Sequence, residues 1–240
     1  MRPKGFFITG TGTGVGKTVV TACLLAVLKN KGIDAGVMKP VETGVDPACH
    51  SIANSDAEFL LHTAQTGDPA DQVCPYRFKT AASPWQAAMA DDVDLVDENV
   101  IQDKFRQLAA KHDLMLVEGI GGLLVPIREN YMVADLIVDL QLPALVVSPF
   151  RLGAVNHTLL TLEAAKNYGV EVKGIIFNPL NNCAKTIAEK GQGAIIEKLS
   201  GTKILGECPF IDNLSPQSFT PELVKIIETQ IDISGLMETL

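Results

Sequence analysis

One stretch near the start of the chain, GFFITGTGTGVGKT from Gly5 to Thr18, narrows the possible folds more than any other. Phe6, Phe7 and Ile8 have the apolar continuity of a buried strand. Gly10, Gly12, Gly14 and Gly16 follow as a turn, and Lys17 and Thr18 then open an apolar-periodic run. Strand, glycine turn, Lys-Thr and helix, in that order, make a phosphate-binding loop. Glycine lets the backbone turn tightly enough for several N–H groups to face one oxyanion. The helix N-terminus adds partial positive charge. On this reading Lys17 reaches the outer phosphates and the Thr18 hydroxyl coordinates a magnesium ion. The motif normally places four residues between its first glycine and the Gly-Lys pair. That count lands on Thr11, with Gly10 as the nearest glycine, so the loop is one residue longer or a variant.

Val20, Cys23, Leu24, Val27 and Leu28 predict a helix from Val19 to Lys31, stopped at Gly32. Residues Ile33 to Met38 read as a second strand. Strand, helix and strand imply a parallel pair with a right-handed crossover. Lys39-Pro40-Val41-Glu42-Thr43-Gly44 follows at the carboxyl end of that strand, where open α/β sheets bind ligands. Lys39 and Thr43 lie near the phosphate loop if the two strands are neighbours; otherwise Lys39 is a solvated loop lysine. A polar loop runs on to Asn54, and Ser55 with Glu58 has the spacing of a capping box. Asp56 either complements the helix dipole or ligates magnesium, directly or through water. Ser83-Pro84 opens a short helix with a similar box, and Trp85 belongs to packing. Asp97 caps a further helix carrying Val100, Ile101, Phe105 and Leu108, with Lys104 at the edge of the apolar face.

Residues 113–119 form an apolar strand ending in Glu118 and Gly119. An apolar strand closed by an acid is how phosphate-loop proteins hold magnesium, although the acid is usually Asp. Pro143 to Val147 is another strand, and the helix after it runs to Tyr168 and ends at Gly169. His157, early in that helix, reads as a structural or surface residue. The strand from Lys173 to Asn178 leaves Asn178 either serving the turn at Pro179 or facing a nucleobase. An amphipathic helix is expected from Ala184 to Leu199, a short strand from Lys203 to Cys208, and a C-terminal helix capped by Thr220-Pro221. The alternation of strands and helices predicts the α/β class: a mostly parallel sheet with helices on both faces, phosphate-loop NTPase-like, as one ATP-binding domain over 1–240.

Composition excludes several other classes. A net charge of −8 over 240 residues disfavours nonspecific binding to nucleic acid or an anionic membrane. No apolar stretch approaches the ~20 residues that a membrane span requires. The apolar run after Lys4 is too short for a signal peptide. Cys23, Cys49, Cys74, Cys183 and Cys208 are scattered and lack metal-ligand spacing, which fits reduced thiols in the cytoplasm.

Taken together, GTGTGVGKT, Met38 to Gly44, Asn54-Ser55-Asp56, Val117-Glu118-Gly119 and the Gly121-Gly122 pair resemble the dethiobiotin synthetases. Leu152-Gly153, Asn156-His157, Asn178 and Gly206-Glu207 with Pro209 continue the likeness in the family's order. The resemblance implies magnesium- and ATP-dependent closure of a ureido ring from diaminopelargonic acid and CO2 or bicarbonate, in biotin synthesis. It implies catalytic roles for Lys17 and Lys39. Gly14, Val15, Gly16, Lys17, Thr18, Val19, Glu118, Asn178, Pro209, Phe210 and Ile211 would bind the nucleotide. Thr18, Asp56 and Glu118 would hold the metal. Thr43 would meet the diamine, and Gly153, Ala154 and Asn156 of a homodimer partner would meet the substrate carboxylate. Gly12 and Gly14 stand where some members carry acids, and Pro179 where a polar residue is common. Two rivals share such motifs. A partitioning or positioning ATPase often carries an extra lysine early in the loop, and none lies between Thr11 and Val15. A cobyrinic-acid-type amide synthase normally adds a glutamine-hydrolysing domain, for which 240 residues leave little room.

Overall fold

The computed structural model describes residues 3–46, 48 and 55–239. Asn54, Cys49 and most of the polar loop expected before Asn54 lie outside the described residues. In chain order the first elements are β1 (Gly5–Gly10), α1 (Lys17–Asn30), β2 (Ala35–Met38), β3 (Val41–Thr43), α2 (Asp56–Ala64) and α3 (Ala70–Val73). Then come β4 (Tyr76–Phe78), α4 (Pro84–Asp91), α5 (Glu98–Ala109), β5 (Leu114–Glu118), β6 (Pro126–Arg128), β7 (Tyr131–Met132) and α6 (Val133–Asp139). The last are β8 (Ala144–Pro149), α7 (Ala154–Tyr168), β9 (Val172–Asn178), α8 (Ile187–Lys190), α9 (Gln192–Ser200), β10 (Ile204–Glu207), α10 (Pro221–Gln230) and α11 (Ile233–Met237).

Six strands form one parallel sheet in the order β10-β9-β8-β1-β5-β2. Alternation along the strands divides the core. Phe6, Ile8, Leu114 and Leu116 face α1 and α10, while Phe7, Met115 and Val117 face α5 and α6. A satellite cluster of Val146, Ile175, Phe177 and Ile196 lies under α7 and α9. Both faces are thus covered, as a parallel sheet requires.

The expected neighbour relation between β1 and β2 is corrected. They are parallel, but β5 lies between them and pairs with both, with Ile8 opposite Glu118. Crossover handedness is constrained by strand twist, but the number of strands skipped is not. Landing one place further along the sheet costs only about 5 Å of connection. The consequence is functional, because β5 carries Glu118 between the end of β1 and the end of β2.

The helix expected from Ala184 to Leu199 is instead two short helices, α8 and α9, meeting at Gly191. Val100, expected on the apolar face of α5, is exposed. Ser83 precedes α4 without a side-chain cap bond, since Pro84 at the first helical position already replaces one orphan N–H. The other N-caps form, although the Glu58 carboxylate, expected as the second half of a box with Ser55, pairs with Arg77. Ser55 accepts from the Glu58 N–H, Asp97 from Asn99, and Thr220 from Leu223.

Candidate active site

The carboxyl ends of the strands converge on the loop between β1 and α1. Gly16 ends the loop in the left-handed region (φ 92), and no side-chain cap bond closes the start of α1. The first N–H groups of the helix are left available for an anion. A Cβ at Gly16 would collide with the Asn178 amide, and one at Gly10 would sit 2.6 Å from Val15 Cγ2. Gly10 and Gly16 therefore set the loop path, with Val15 buried beneath it. Gly12 and Gly14 have open space around them.

Lys17 is buried and donates from Nζ to the Gly12 carbonyl at 3.1 Å, so it curls over the loop. Thr18 Oγ1 donates to Glu118 Oε1 at 3.0 Å. Thr21, one helical turn on, brings its hydroxyl within 3.0 Å of Glu118 Oε2. Lys39 Nζ lies 2.5 Å from Glu118 Oε1, 3.2 Å from Asp56 Oδ2 and 3.3 Å from the Gly119 carbonyl. All three ammonium donors are engaged, which rejects the solvated-lysine alternative for Lys39. Glu118 is fully buried, while the Asp56 side chain is half exposed at the mouth of the site.

The charges have been sorted by environment. Burial, reinforced by the nearby Lys39 charge, lowers the Lys17 ammonium to about 8. Burial also disfavours the Lys39 ammonium, but Glu118 and Asp56 outweigh it and hold Lys39 above the ordinary lysine value. Partial burial opposes ionisation of Asp56; Lys39, Thr18 and Lys17 more than offset this and keep the carboxyl low. Burial lifts the Glu42 carboxyl despite a hydrogen bond from Ser55 and the charge of Lys39.

Gly14, Gly16, Lys17, Thr18, Val19, Lys39, Thr43, Asp56 and Glu118 line one cleft of about 880 Å³. Its lining also includes Glu42, Phe59, Ile120 and Leu214 to Gln217, none of which motif reading singled out for a role. Thr21 could have been found from its position one turn after Thr18. The wall at Leu214 to Gln217 has no local signature. Pro209, Phe210 and Ile211 are not part of the cleft lining, although the segment they begin runs into that wall. The Asn178 side chain does not face the cleft. It is buried behind the loop and donates to the Val15 carbonyl at 3.2 Å. Gly153, Ala154 and Asn156 lie outside the cleft, at the start of α7, with Gly153 and Asn156 exposed.

Magnesium suits the donors present. The Thr18 hydroxyl and the Glu118 and Asp56 carboxylates are hard oxygens joined in one network. Among the described residues no group of three or more His, Cys, Asp or Glu could hold a metal alone.

A central β1, a glycine loop closing on a helix start, and an acid on the adjacent strand define a phosphate-loop nucleotide-binding protein. The family model for an AAA domain matches residues 4–218. The cell-division ATPase MinD of Pyrococcus furiosus superposes with a TM-score of 0.55 at 18% identity, covering 98% of this chain and 99% of that one. A ParA family ATPase from Chlorobium tepidum does so at 0.55 and 15% identity, covering 95% and 97%. At those identities the likeness concerns the fold alone.

Sequence relatives are more specific. ATP-dependent dethiobiotin synthetase BioD of Bacillus velezensis is 39% identical, over 98% of this chain and 97% of its own length. Those of Thermodesulfovibrio yellowstonii and Nitrosopumilus maritimus are 36% and 34% identical, over 96% and 98% of this chain and 98% and 100% of their own lengths. The chain belongs to the family of ATP-dependent dethiobiotin synthetases.

Proposed function

We propose that the chain closes the ureido ring of dethiobiotin from diaminopelargonic acid, CO2 and ATP. The observation carrying this reading is Lys39, held between Glu118 and Asp56 in the cleft that Lys17, Thr18 and Thr43 also line. One substrate amine adds to the carbon of CO2 and loses a proton, giving a carbamate. A carbamate oxygen attacks the γ-phosphorus, the bond to ADP breaks, and a carbamic–phosphoric anhydride forms. The second amine attacks the carbamoyl carbon, phosphate leaves with the bonding pair, and loss of a proton completes the cyclic urea.

Lys17 and Lys39 stabilise negative charge on the carbamate and the transferring phosphoryl group, and the loop N–H groups hold the phosphates. Thr43 lies beside the reacting diamine. Thr18, Asp56 and Glu118 would hold Mg2+, which supplies charge neutralisation at the phosphates when bound. Pro209, Phe210 and Ile211 contact adenine, while Asn178, for which the same contact was expected, supports the phosphate loop from behind through the Val15 carbonyl. The Cys208 N–H bond to the Phe177 carbonyl, at 2.8 Å, supports this by seating that segment beside Asn178. Gly153, Ala154 and Asn156 serve the site of a homodimer partner, where an uncapped helix start suits a carboxylate. Free Cys23, Cys74 and Cys183 fit a cytoplasmic, reducing setting. No helix of the described residues is long and apolar enough to cross a membrane.

The test is ADP release with and without diaminopelargonic acid and bicarbonate, on the native chain and on Lys39→Ala. Release should require both compounds, and the variant should bind nucleotide but lose turnover. Release independent of both would point to a switch ATPase, and dependence on glutamine to an amide synthase. Native turnover in Lys39→Ala would remove Lys39 from the chemistry.

A further inference from the structure

Asp56 is the one proposed metal ligand that does not extend from the central sheet or from α1. It is the first residue of α2, and the residues just before Ser55 are not among those described. What fixes its position is visible from the other side. Glu42, in β3, is 4% exposed and turns its carboxylate onto the start of α2. Its Oε2 accepts from Ser55 Oγ at 2.8 Å, and its Oε1 accepts from the Asp56 backbone N–H at 2.5 Å. Ser55 Oγ in turn accepts the Glu58 N–H at 3.2 Å. The helix start is thus capped twice, by its own Ser55 and by a carboxylate from a different element. A negative group there also complements the helix dipole.

We propose that Glu42 is a positioning residue for the metal-binding half of the site: it anchors the first turn of α2 so that the Asp56 carboxylate faces Lys39, Glu118 and Thr18. The inference rests on the nucleotide–magnesium reading of the cleft. Glu42 lies three residues beyond Lys39, so one short segment carries both the lysine and the anchor of the carboxylate that lysine meets. Glu42 acts through two hydrogen bonds to the backbone and cap of α2.

Glu42→Ala removes both bonds, while Glu42→Gln keeps an acceptor for the Asp56 N–H and a partner for Ser55 Oγ. The readout is the dissociation constant of a non-hydrolysable ATP analogue in Mg2+ and in EDTA, for native protein, both Glu42 variants and Ser55→Ala. Affinity in EDTA, set by the loop, should stay within about twofold. The strengthening by Mg2+ should fall about 10-fold or more in Glu42→Ala, since losing the partner that orients a ligand typically costs 10- to 100-fold in metal affinity. It should fall less in Ser55→Ala, which leaves the Asp56 N–H bond in place, and return to within about threefold of native in Glu42→Gln. A purely structural role would lower the melting temperature without changing the Mg2+ dependence. A native Mg2+ dependence in a folded Glu42→Ala overturns the proposal, as does a Gln variant as impaired as Ala. Should Glu42→Ala not fold, an unchanged Mg2+ dependence in Ser55→Ala overturns it as well. If the native chain forms no product from diaminopelargonic acid but binds Mg2+–nucleotide, the synthetase reading fails while this inference is still tested.

Discussion

Two lysines in one cleft have been driven apart by their neighbours. Lys39 is locked as an ammonium by Glu118 and Asp56, whereas Lys17 is buried with, among the described residues, a carbonyl as its hydrogen-bond acceptor, and titrates near 8. In the unfolded chain Lys17 returns to its ordinary 10.5. The unfolded state then binds more protons between the two values, so Lys17 makes unliganded stability rise with pH across that window. Bound triphosphate has the opposite preference and favours the charged lysine. Nucleotide binding is therefore expected to take up protons above about pH 8, up to about one per nucleotide. Calorimetry at pH 7 and pH 9, in buffers of different ionisation enthalpy, measures that uptake directly. Affinity should fall as pH rises through 8, and the dependence should vanish in Lys17→Met.

The loop between β1 and α1 is where element geometry decides function. Gly16 has a positive φ and the Asn178 amide packed against it, so even a methyl group must displace one or the other. Gly12 has neither restriction, having ordinary φ and open space where a Cβ would stand. Gly16→Ala should abolish measurable nucleotide binding, with loss of stability of about 1–3 kcal/mol from backbone strain. Gly12→Asp should leave stability within about 0.5 kcal/mol. Parallel thermal melts and nucleotide titrations separate the two. A loop equally tolerant at both positions would show that Asn178 does not define its path.

At the scale of the whole molecule, the reading proposed above completes the substrate site with Gly153, Ala154 and Asn156 of a second chain. Leu152 is 87% exposed at the start of α7 and Leu160 is 61% exposed further along it, beside the exposed Leu124. Charging this apolar surface with Leu152→Asp and Leu160→Asp should convert a dimer to a monomer in sedimentation. It should weaken diaminopelargonic acid binding at least about 10-fold, a loss of roughly 1.4 kcal/mol, and leave ATP binding unchanged. A native protein that sediments as a 25.7 kDa species would refute the two-chain site.

Local chemistry was enough to place much of this protein from its sequence. The phosphate loop, the acid closing β5, the caps at Ser55, Asp97 and Thr220, and the stop at Gly169 each depend on residues a few positions apart. Short-range backbone sterics and hydrogen bonding make such features legible. The insertion of β5 between β1 and β2, the turning of Asn178 onto the back of the loop, the wall from Leu214 to Gln217, and the seating of Glu42 on α2 depend on segments far apart in the chain. Those arrangements exist only once two apolar sheet faces have been covered together, because packing, not local preference, selects which distant backbones meet.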